Sequence, residues 1–294
     1  MTTVKARIFK NFKRKSPAEI AVYCVVSAAF MVLALSYIYI IVWMVIAACK
    51  THAEIVLSPF SLPKTWHWEH FLEVPGKLEV NGSGFGRMFL NSCWFSIVGV
   101  LYGQIVSCVF AYTVTKYQFP LSKYTYTFML ILMTLPLYGA SGGMYKLLYN
   151  LGMIDSYAQI ICSGNAFGTA ATLYYMAYFK NLSNTYMEAA MMDGANHFQI
   201  CYKVMLPQAK PLFTAFFVTS WMTDWNNYSS ALIYLPNTPT LPVGIYQFNT
   251  EMIYRARLDI LFAACVVTMI PALIMFIGFN KTITTSVSLG GIKG

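Results

Sequence analysis

The chain has 294 residues, of which 57% are hydrophobic and only 11% are charged, and its formal net charge is +9. A mean hydropathy of +0.55 is typical of a protein that crosses a membrane several times. The basic excess does not indicate nucleic-acid binding, because that function needs a basic face on a water-soluble module.

Six stretches of the chain are almost free of charge, and each can supply the roughly 20 residues that a bilayer requires. They are 20–49, 88–115, 124–145, 156–179, 211–234, in which Asp224 is the single charge, and 260–280. With both termini in the cytoplasm, thirteen of the 20 basic residues fall in cytoplasmic segments, as the positive-inside rule requires. The sequence therefore predicts an all-α, polytopic protein with six transmembrane helices in the bacterial cytoplasmic membrane.

These spans divide the chain into parts with different environments. The predicted parts are a basic cytoplasmic N-terminus at 1–19, a first transmembrane helix at 20–49, an extracytoplasmic segment at 50–87, a five-helix core at 88–281 and a cytoplasmic tail at 282–294. Residues 46–49 read Ile-Ala-Ala-Cys, which is similar to a lipoprotein processing site. The preceding apolar run is much longer than the roughly 7–15 residues of a signal peptide, so we predict that it is retained as the first span.

The extracytoplasmic segment 50–87 is rich in proline, tryptophan and histidine. Trp66 and Trp68 are typical of an aromatic belt at the membrane interface, and contact with an external partner is the alternative. The three histidines of the segment, His52, His67 and His70, lack a helical two-ligand spacing with a carboxylate base, and no two of the seven cysteines form a C-x-x-C pair. We therefore predict no metal site and no redox site.

The fifth predicted span contains polar and aromatic residues that are unusual in a membrane. They are Trp221, Asp224, Trp225, Asn226, Asn227 and Tyr228. A carboxylate inside a membrane indicates a functional site, because its burial costs at least ~2.5 kcal/mol. Aromatic faces beside carboxylate and amide groups suit a sugar, so these residues are candidates for a translocation path. A structural or gating role is the alternative.

The loop 184–207 lies between the fourth and fifth spans and has the signals of two short helices. Thr185 and Glu188 have the spacing of a capping box, and Gly194 can end the first helix in a left-handed conformation. Asn196 then begins a second helix with Gln199 at its third position. We expect Pro207 to end this second helix, whose apolar face would comprise Phe198, Cys201, Tyr202 and Met205.

This loop resembles the EAA loop of ABC importer permeases. The residues that carry the resemblance are Glu188, Ala189, Ala190, Asp193, Gly194, Ile200, Leu206 and Pro207. Leu90-Asn91-Ser92 at the start of the second span and the C-terminal tail Gly291, Ile292, Lys293 and Gly294 are also similar to this family. The chain length, the six predicted spans, the loop and the Lys-Gly tail together resemble the smaller, maltose-type permease of the first carbohydrate-uptake family.

The resemblance implies a function and a set of partners. In such permeases the loop is a coupling helix that docks in a groove of a cytoplasmic ATPase, and the tail contacts the same subunit. The implied partners are a second, homologous permease, two ABC ATPases, an extracytoplasmic solute-binding protein and a saccharide. The implied mechanism is alternating access, in which the solute path opens to one side of the membrane at a time. The chain has no P-loop, so we expect no cofactor in it; ATP and Mg²⁺ would be bound by the ATPases. It would not be an enzyme.

Three alternatives remain open at this point. Another solute is compatible with the same family. An ion-coupled secondary transporter needs buried titratable residues, and only Asp224 lies deep within a predicted span. A membrane protein without transport function, such as a sensor, would have no use for the loop 184–207.

Overall fold

The computed structural model describes residues 16–117, 119–134, 140–163, 169–255 and 257–290, which are mostly helical. The predicted basic cluster in 1–15 and the tail residues 291–294 lie outside this part. The α-helices are α1 Pro17–Ala48, α2 His52–Leu57, α3 Glu69–Lys77, α4 Phe85–Cys93, α5 Gly99–Lys116, α6 Ser122–Thr134, α7 Ala140–Asn150, α8 Gln159–Ser163, α9 Ala170–Asn181, α10 Thr185–Met192, α11 His197–Gln199, α12 Leu206–Gln208, α13 Lys210–Trp225, α14 Tyr228–Tyr234, α15 Leu241–Arg255 and α16 Leu258–Gly290.

Within the described residues, two π-helical stretches and one small sheet occur between these helices. The π-helices are Trp94–Val98 and Ile200–Met205. The sheet pairs β1 Glu79–Val80 with β2 Ser83–Gly84 in antiparallel register. Because the first π-helix joins α4 directly to α5, these three elements form one continuous helical rod.

In the described part of the chain, three helical segments are long and apolar enough to cross a membrane. They are Pro17–Ala48, Phe85–Lys116 and Leu258–Asn280. These segments coincide with the first, second and sixth predicted spans. The last one belongs to α16, which continues through Pro271 without interruption.

The other three predicted spans correspond to pairs of shorter helices. The third contains α6 and α7, and the fourth contains α8 and α9; the links 135–139 and 164–168 lie outside the described residues. The prediction of one helix across 211–234 is wrong, because α13 ends at Trp225 and α14 begins at Tyr228. The cause is Asn227, whose side chain accepts a hydrogen bond from the Ser230 amide at 3.1 Å and so caps a new helix.

One compact unit consists of residues 16–71 together with Arg257–Val266. The buried Lys50 ammonium donates to the carbonyl oxygens of Ser58 at 3.0 Å and Pro59 at 3.1 Å. The Trp43 indole donates to the same Pro59 carbonyl at 2.9 Å. These bonds fold the chain after α2 back against the last turns of α1.

The histidines of this unit make contacts within the protein. The buried His70 has its Nδ1 2.9 Å from the Ala48 carbonyl and its Nε2 3.4 Å from the Asp259 carboxylate. Arg257 pairs with the same carboxylate at 3.0 Å. Nearer the surface, His67 lies 2.6 Å from Glu69, and this hydrogen bond lowers the pKa of the Glu69 carboxyl. The histidines His67 and His70 are therefore held by hydrogen bonds and by carboxylate partners within this unit.

The second unit comprises Leu72–Ala256 and Val267–Gly294. Its helix α5 packs against α9 and α13. One core cluster of this unit includes Tyr112, Tyr175, Phe179, Met187, Ile200 and Met205. Because the last three of these belong to the loop 184–207, that loop is anchored in the same core as the apolar helices.

Candidate functional site: an anchored loop and a polar cavity

Helix α10 of the loop 184–207 ends at a left-handed glycine. Gly194 has φ +80°, as predicted. Its amide donates to the Met191 carbonyl at 3.0 Å, and the Ala195 amide donates to the Ala190 carbonyl at 3.0 Å. This pair of bonds is a Schellman motif, in which the left-handed residue lets the chain turn away from the helix axis.

The second helix of the loop begins with the predicted capping box. The Gln199 amide donates to the Asn196 side chain at 2.8 Å, and the Asn196 amide donates to the Gln199 side chain at 3.1 Å. The prediction for Asn196 is therefore confirmed. A bend of four residues, Asp193 to Asn196, separates the two helices, so the loop forms a compact projection.

The other predicted capping box is wrong. Helix α10 already includes Thr185, whose amide donates to the Ser183 hydroxyl at 3.2 Å, and its N-cap is Asn184. The Asn184 side chain does not cap the helix because its oxygen accepts from the Lys116 ammonium at 2.7 Å. The Glu188 side chain is consequently exposed and does not serve the cap.

The prediction that Pro207 ends the second helix is also wrong, because helical structure continues through this residue. The π-helix Ile200–Met205 leads into α12, and the break falls at Ala209. Proline is tolerated in the first turn of a helix, where its missing amide hydrogen is not needed. The second helix is thus longer than expected.

The predicted apolar face of the second helix is divided between core and solvent. Met205 is buried, together with Ile200, whereas the side chains of Phe198 and Tyr202 are 76% and 45% exposed. The rings of this pair lie 5.2 Å apart. Cys201 is half-buried, and burial raises the pKa of its thiol. The exposed apolar side chains form what we call the loop patch: Met191, Met192, Phe198 and Tyr202.

The residues that resemble the EAA motif are likewise divided. Ala190 and Ile200 are buried and Leu206 is half-buried. The exposed ones are Glu188, Ala189, Asp193, Gly194 and Pro207. Only this second set is available for contact with another subunit.

A polar cavity of about 440 Å³ lies in the second unit, between α5, α13 and neighbouring segments. Its volume is within the range of small-molecule sites. The polar residues of its lining are Ser92, Ser96, Gln104, Ser107, Gln159, Thr169, Ser220, Thr223, Asp224, Asn227, Ser230 and Thr240. Among the described lining residues Asp224 is the only charged one, and its carboxylate neither accepts a hydrogen bond nor forms an ion pair in the described chain.

A buried hydrogen-bond chain fixes one wall of this cavity. The Tyr175 hydroxyl donates to the Gln104 side-chain oxygen at 2.8 Å, and the Gln104 amide group donates to the Ser220 hydroxyl at 3.1 Å. The sequence did not indicate Gln104, because its partners lie 71 and 116 positions away. A glutamine inside an apolar span is the one signal that would have drawn attention to it.

The predicted path residues of the fifth span have different positions. Asp224, Trp225 and Asn227 line the cavity. Trp225 is also stacked on the buried Trp221 with ring centroids 5.2 Å apart, and its indole donates to the Thr268 carbonyl at 3.1 Å. Trp221 and the remaining two residues, Asn226 and Tyr228, are outside the lining.

Those two residues contact other parts of the protein. The Asn226 side chain donates to the Met222 carbonyl at 2.8 Å. Tyr228 stacks on Tyr246 with centroids 4.7 Å apart. Through these contacts, both residues stabilise the conformation of the segment that carries Asp224.

The connection 235–241 is held against the start of α4 and the segment before α8, and we call this arrangement the clamp. One oxygen of the Asp155 carboxylate accepts from the Asn237 amide at 2.9 Å, the Thr238 amide at 2.9 Å and the Thr238 hydroxyl at 3.0 Å. Asp155 itself has φ +60°. A single carboxylate thus organises the turn.

The Leu90-Asn91-Ser92 segment completes the clamp. The buried Asn91 donates to the Pro239 carbonyl at 3.0 Å and accepts from the Tyr157 hydroxyl at 3.0 Å. The Ser92 hydroxyl accepts from the Leu241 amide at 2.8 Å. Because Ser92 also lines the cavity, the clamp forms part of the cavity wall.

A long apolar helical segment that lines a polar cavity with an unpaired carboxylate is typical of a helical membrane transport protein. Residues 99–288 match the family described as binding-protein-dependent transport system inner membrane component, and the chain belongs to this family. It is a permease subunit of an ABC importer, a non-catalytic, multi-pass component of the inner membrane that works with an ATPase and a substrate-binding protein.

Relatives of similar length support the assignment. The chain is 28% identical to the diacetylchitobiose uptake system permease protein NgcG of Streptomyces coelicolor, over 85% of this chain and 82% of that protein. It is 27% identical to the arabinooligosaccharides transport system permease protein AraQ of Bacillus subtilis, over 96% and 99% of the two chains. The resemblance to ABC importer permeases is therefore confirmed.

A solved structure has the same fold. It is a bacterial ABC transporter involved in the import of the acidic polysaccharide alginate, with a TM-score of 0.74 over 91% of this chain and 98% of that one. The two sequences are 21% identical, so the likeness concerns the fold alone.

Proposed function

We propose that this chain is the permease subunit of an ATP-driven importer for a di- or oligosaccharide. The observation that carries the proposal is the match over nearly the whole chain to permeases whose names specify arabinooligosaccharides and diacetylchitobiose. Transport follows alternating access, with the polar cavity as this subunit's part of the solute path.

The proposed topology has six transmembrane helices with both termini in the cytoplasm. The parts are 1–19, the first helix 20–49, the extracytoplasmic segment 50–87, the five-helix core 88–281 and the tail 282–294. Support comes from the distribution of basic residues and from the three long apolar helical segments. In this topology the loop 184–207 faces the cytoplasm and the clamp faces outward.

The loop 184–207 is the proposed coupling element for the ATPase. Its base is fixed by Ala190, Ile200 and Leu206, and its exposed surface presents Glu188, Ala189, Asp193, Gly194 and Pro207 beside the loop patch. An exposed apolar patch on a rigid projection is typical of a protein contact. The tail residues Gly291, Ile292, Lys293 and Gly294 are proposed to contact the same ATPase.

The proposed complex contains a second, homologous permease and two ATPases, which bind ATP and Mg²⁺. In the described part of the chain, the most apolar window of α1 has none of its residues buried, so lipid or another subunit must cover it. A half-open cavity wall with an exposed Asp224 is also consistent with a path completed by a second permease.

Reconstitution in proteoliposomes tests this function. The chain is co-purified with its ATPase, second permease and binding protein, and uptake of labelled arabinotriose and diacetylchitobiose is measured with and without ATP. We expect ATP-dependent uptake of at least one saccharide that persists when an ionophore removes ion gradients. Uptake that follows an ion gradient without ATP would instead identify a secondary transporter. Deleting residues 291–294 should lower the ratio of uptake to ATP hydrolysis, and an unchanged ratio would remove the tail from the proposal.

A further inference from the structure

The cavity is lined by one carboxylate, that of Asp224, and no positively charged side chain of the described lining neutralises it. Asp224 is exposed to the cavity, and the described lining contains no lysine, arginine or histidine. The carboxylate also has no hydrogen-bond donor among the described residues. An unpaired carboxylate next to hydroxyl and amide groups can accept hydrogen bonds from a solute.

The wall around Asp224 is arranged to leave this charge available. Ser220 lies one helical turn before Asp224 on α13, and both residues line the cavity. The Ser220 hydroxyl accepts from Gln104, and Gln104 is held in turn by Tyr175. The Tyr175 hydroxyl and the Gln104 amide group therefore donate within this chain of bonds and not to Asp224, and the acceptor positions of Asp224 remain for the solute.

Resting on the proposed function, we propose that Asp224 makes the cavity selective by charge: it takes up neutral or basic saccharides and disfavours acidic ones. A hydroxyl or ammonium group gains a charge-assisted hydrogen bond to the carboxylate. A uronate or sulfate group at the same place meets a like charge in a partly desolvated site, where no cation of the described lining offsets it. Asp224 is thus the specificity-determining residue of this wall.

The comparison with the solved structure sharpens this inference. That transporter is involved in the import of an acidic polysaccharide and shares the fold of this chain. Since function is determined by the site and not by the fold, a shared fold leaves the charge of the solute open. The preference must be read from the side chains of the cavity, and here the only charged one described is an acid.

The charge preference of the cavity can be measured without knowing the natural saccharide. Ser220→Cys is introduced into a cysteine-free version of the complete complex in nanodiscs. The new thiol is then allowed to react with two methanethiosulfonate reagents of similar size, one carrying a trimethylammonium and one a sulfonate group. The same thiol reacts with both reagents, so its own reactivity cancels in the ratio of the two rates. We divide this ratio by the ratio measured for free 2-mercaptoethanol. The normalised ratio then reports the local electrostatic potential.

We expect this normalised ratio to favour the cationic reagent by about fivefold to tenfold in the parent, because the reagents differ by two charges at about one helical turn from the carboxylate. Asp224→Asn should reduce the ratio to about one. Asp193→Asn, which removes a carboxylate from the loop 184–207, is the matched control and should leave the ratio unchanged. If Ser220→Cys does not assemble, Thr223→Cys, which is exposed and lines the same cavity, replaces it.

A ratio near one in the parent would overturn the inference. So would the absence of any reaction with either reagent, if it is observed both without nucleotide and with a non-hydrolysable ATP analogue. The proposed function has a separate readout in the ATP-dependent uptake of saccharides. Normal uptake together with a ratio near one counts against the charge preference alone. Absent uptake together with a cation-favouring ratio that depends on Asp224 counts against the saccharide function alone.

Discussion

The loop 184–207 and the clamp each hold a bend of the chain, yet they are stabilised in opposite ways. In the loop, the bonds that make the bend join residues no more than five positions apart, as between Ala195 and Ala190. In the clamp, the bonds join residues 66 to 149 positions apart, from Asn91–Tyr157 to Ser92–Leu241. The first bend is a property of its own segment, whereas the second exists only in the folded protein.

The two regions also expose different surfaces. The loop leaves Phe198 and Met192 exposed, the latter by 88%, while its polar cap groups bond to one another. The clamp instead buries polar side chains such as Asn91 and Ser92 between segments. This difference suits the loop for contact with another subunit and the clamp for internal closure of the cavity wall.

The largest effect that tests this contrast between the loop and the clamp is expected at Gly194. Gly194→Val should cost about 1–3 kcal/mol in local conformation, because a β-branched residue is strained at φ +80°. No atom lies within 4 Å of a Cβ built there, so the cost is one of backbone conformation and not of crowding. We expect ATPase co-purification and saccharide uptake to fall about tenfold or more with the helices still inserted.

Gly194→Asn is the matched control for this prediction. Asparagine tolerates the left-handed conformation, so it should retain most of the ATPase binding and uptake. If Gly194→Val binds the ATPase and transports like the parent, the loop is a passive connection and the proposed coupling is wrong.

A smaller, more local effect is expected when the clamp is released at Asp155. Asp155→Gly removes three accepted hydrogen bonds without adding strain at φ +60°. Because bonds to a charged acceptor contribute about 1.5–3 kcal/mol, hydrogen exchange at the Asn237 and Thr238 amides should accelerate roughly tenfold or more. Exchange in the loop 184–207 should not change.

Asp155→Asn keeps a side-chain oxygen and tolerates positive φ, so its effect on exchange should be distinctly smaller. Asn81→Ala removes one exposed bond to the Pro236 carbonyl and should change exchange least. Equal exchange rates in Asp155→Gly and the parent would mean that the turn is specified locally, and the contrast between the two regions would fail.

The same contrast explains which features could be predicted from the sequence. Gly194 and the Asn196–Gln199 pair were predictable because each signal acts within a few residues of itself. The interruption of the fifth span at Asn227 was missed because hydropathy averages over a window and does not register one capping side chain. The three long apolar segments follow from composition alone.

The site was less predictable than the fold. Gln104 and Asp155 act through partners 71 or more positions away, which no local pattern reveals. Helical spacing grouped Phe198 and Tyr202 with Met205 as one apolar face, but the core accommodates only Met205 and Ile200. Spacing defines a face, and the neighbouring helices decide how much of that face is buried.

The smallest effect concerns Glu188, and it separates the roles of the loop most clearly. Its side chain is exposed and takes no part in the cap of α10, so Glu188→Ala should change the free energy of unfolding by no more than about 0.5 kcal/mol. If the carboxylate meets a basic group of the ATPase, its removal should weaken binding by a few-fold, and more at low salt than at high salt. Titration of the ATPase against the permease in nanodiscs at two salt concentrations measures this, with Asn196→Ala, which loses a cap worth about 0.5–2 kcal/mol, as the stability control. Glu188→Ala that destabilises the permease as much as Asn196→Ala would show that Glu188 serves the loop's own fold, and its exposed position would then carry no coupling role.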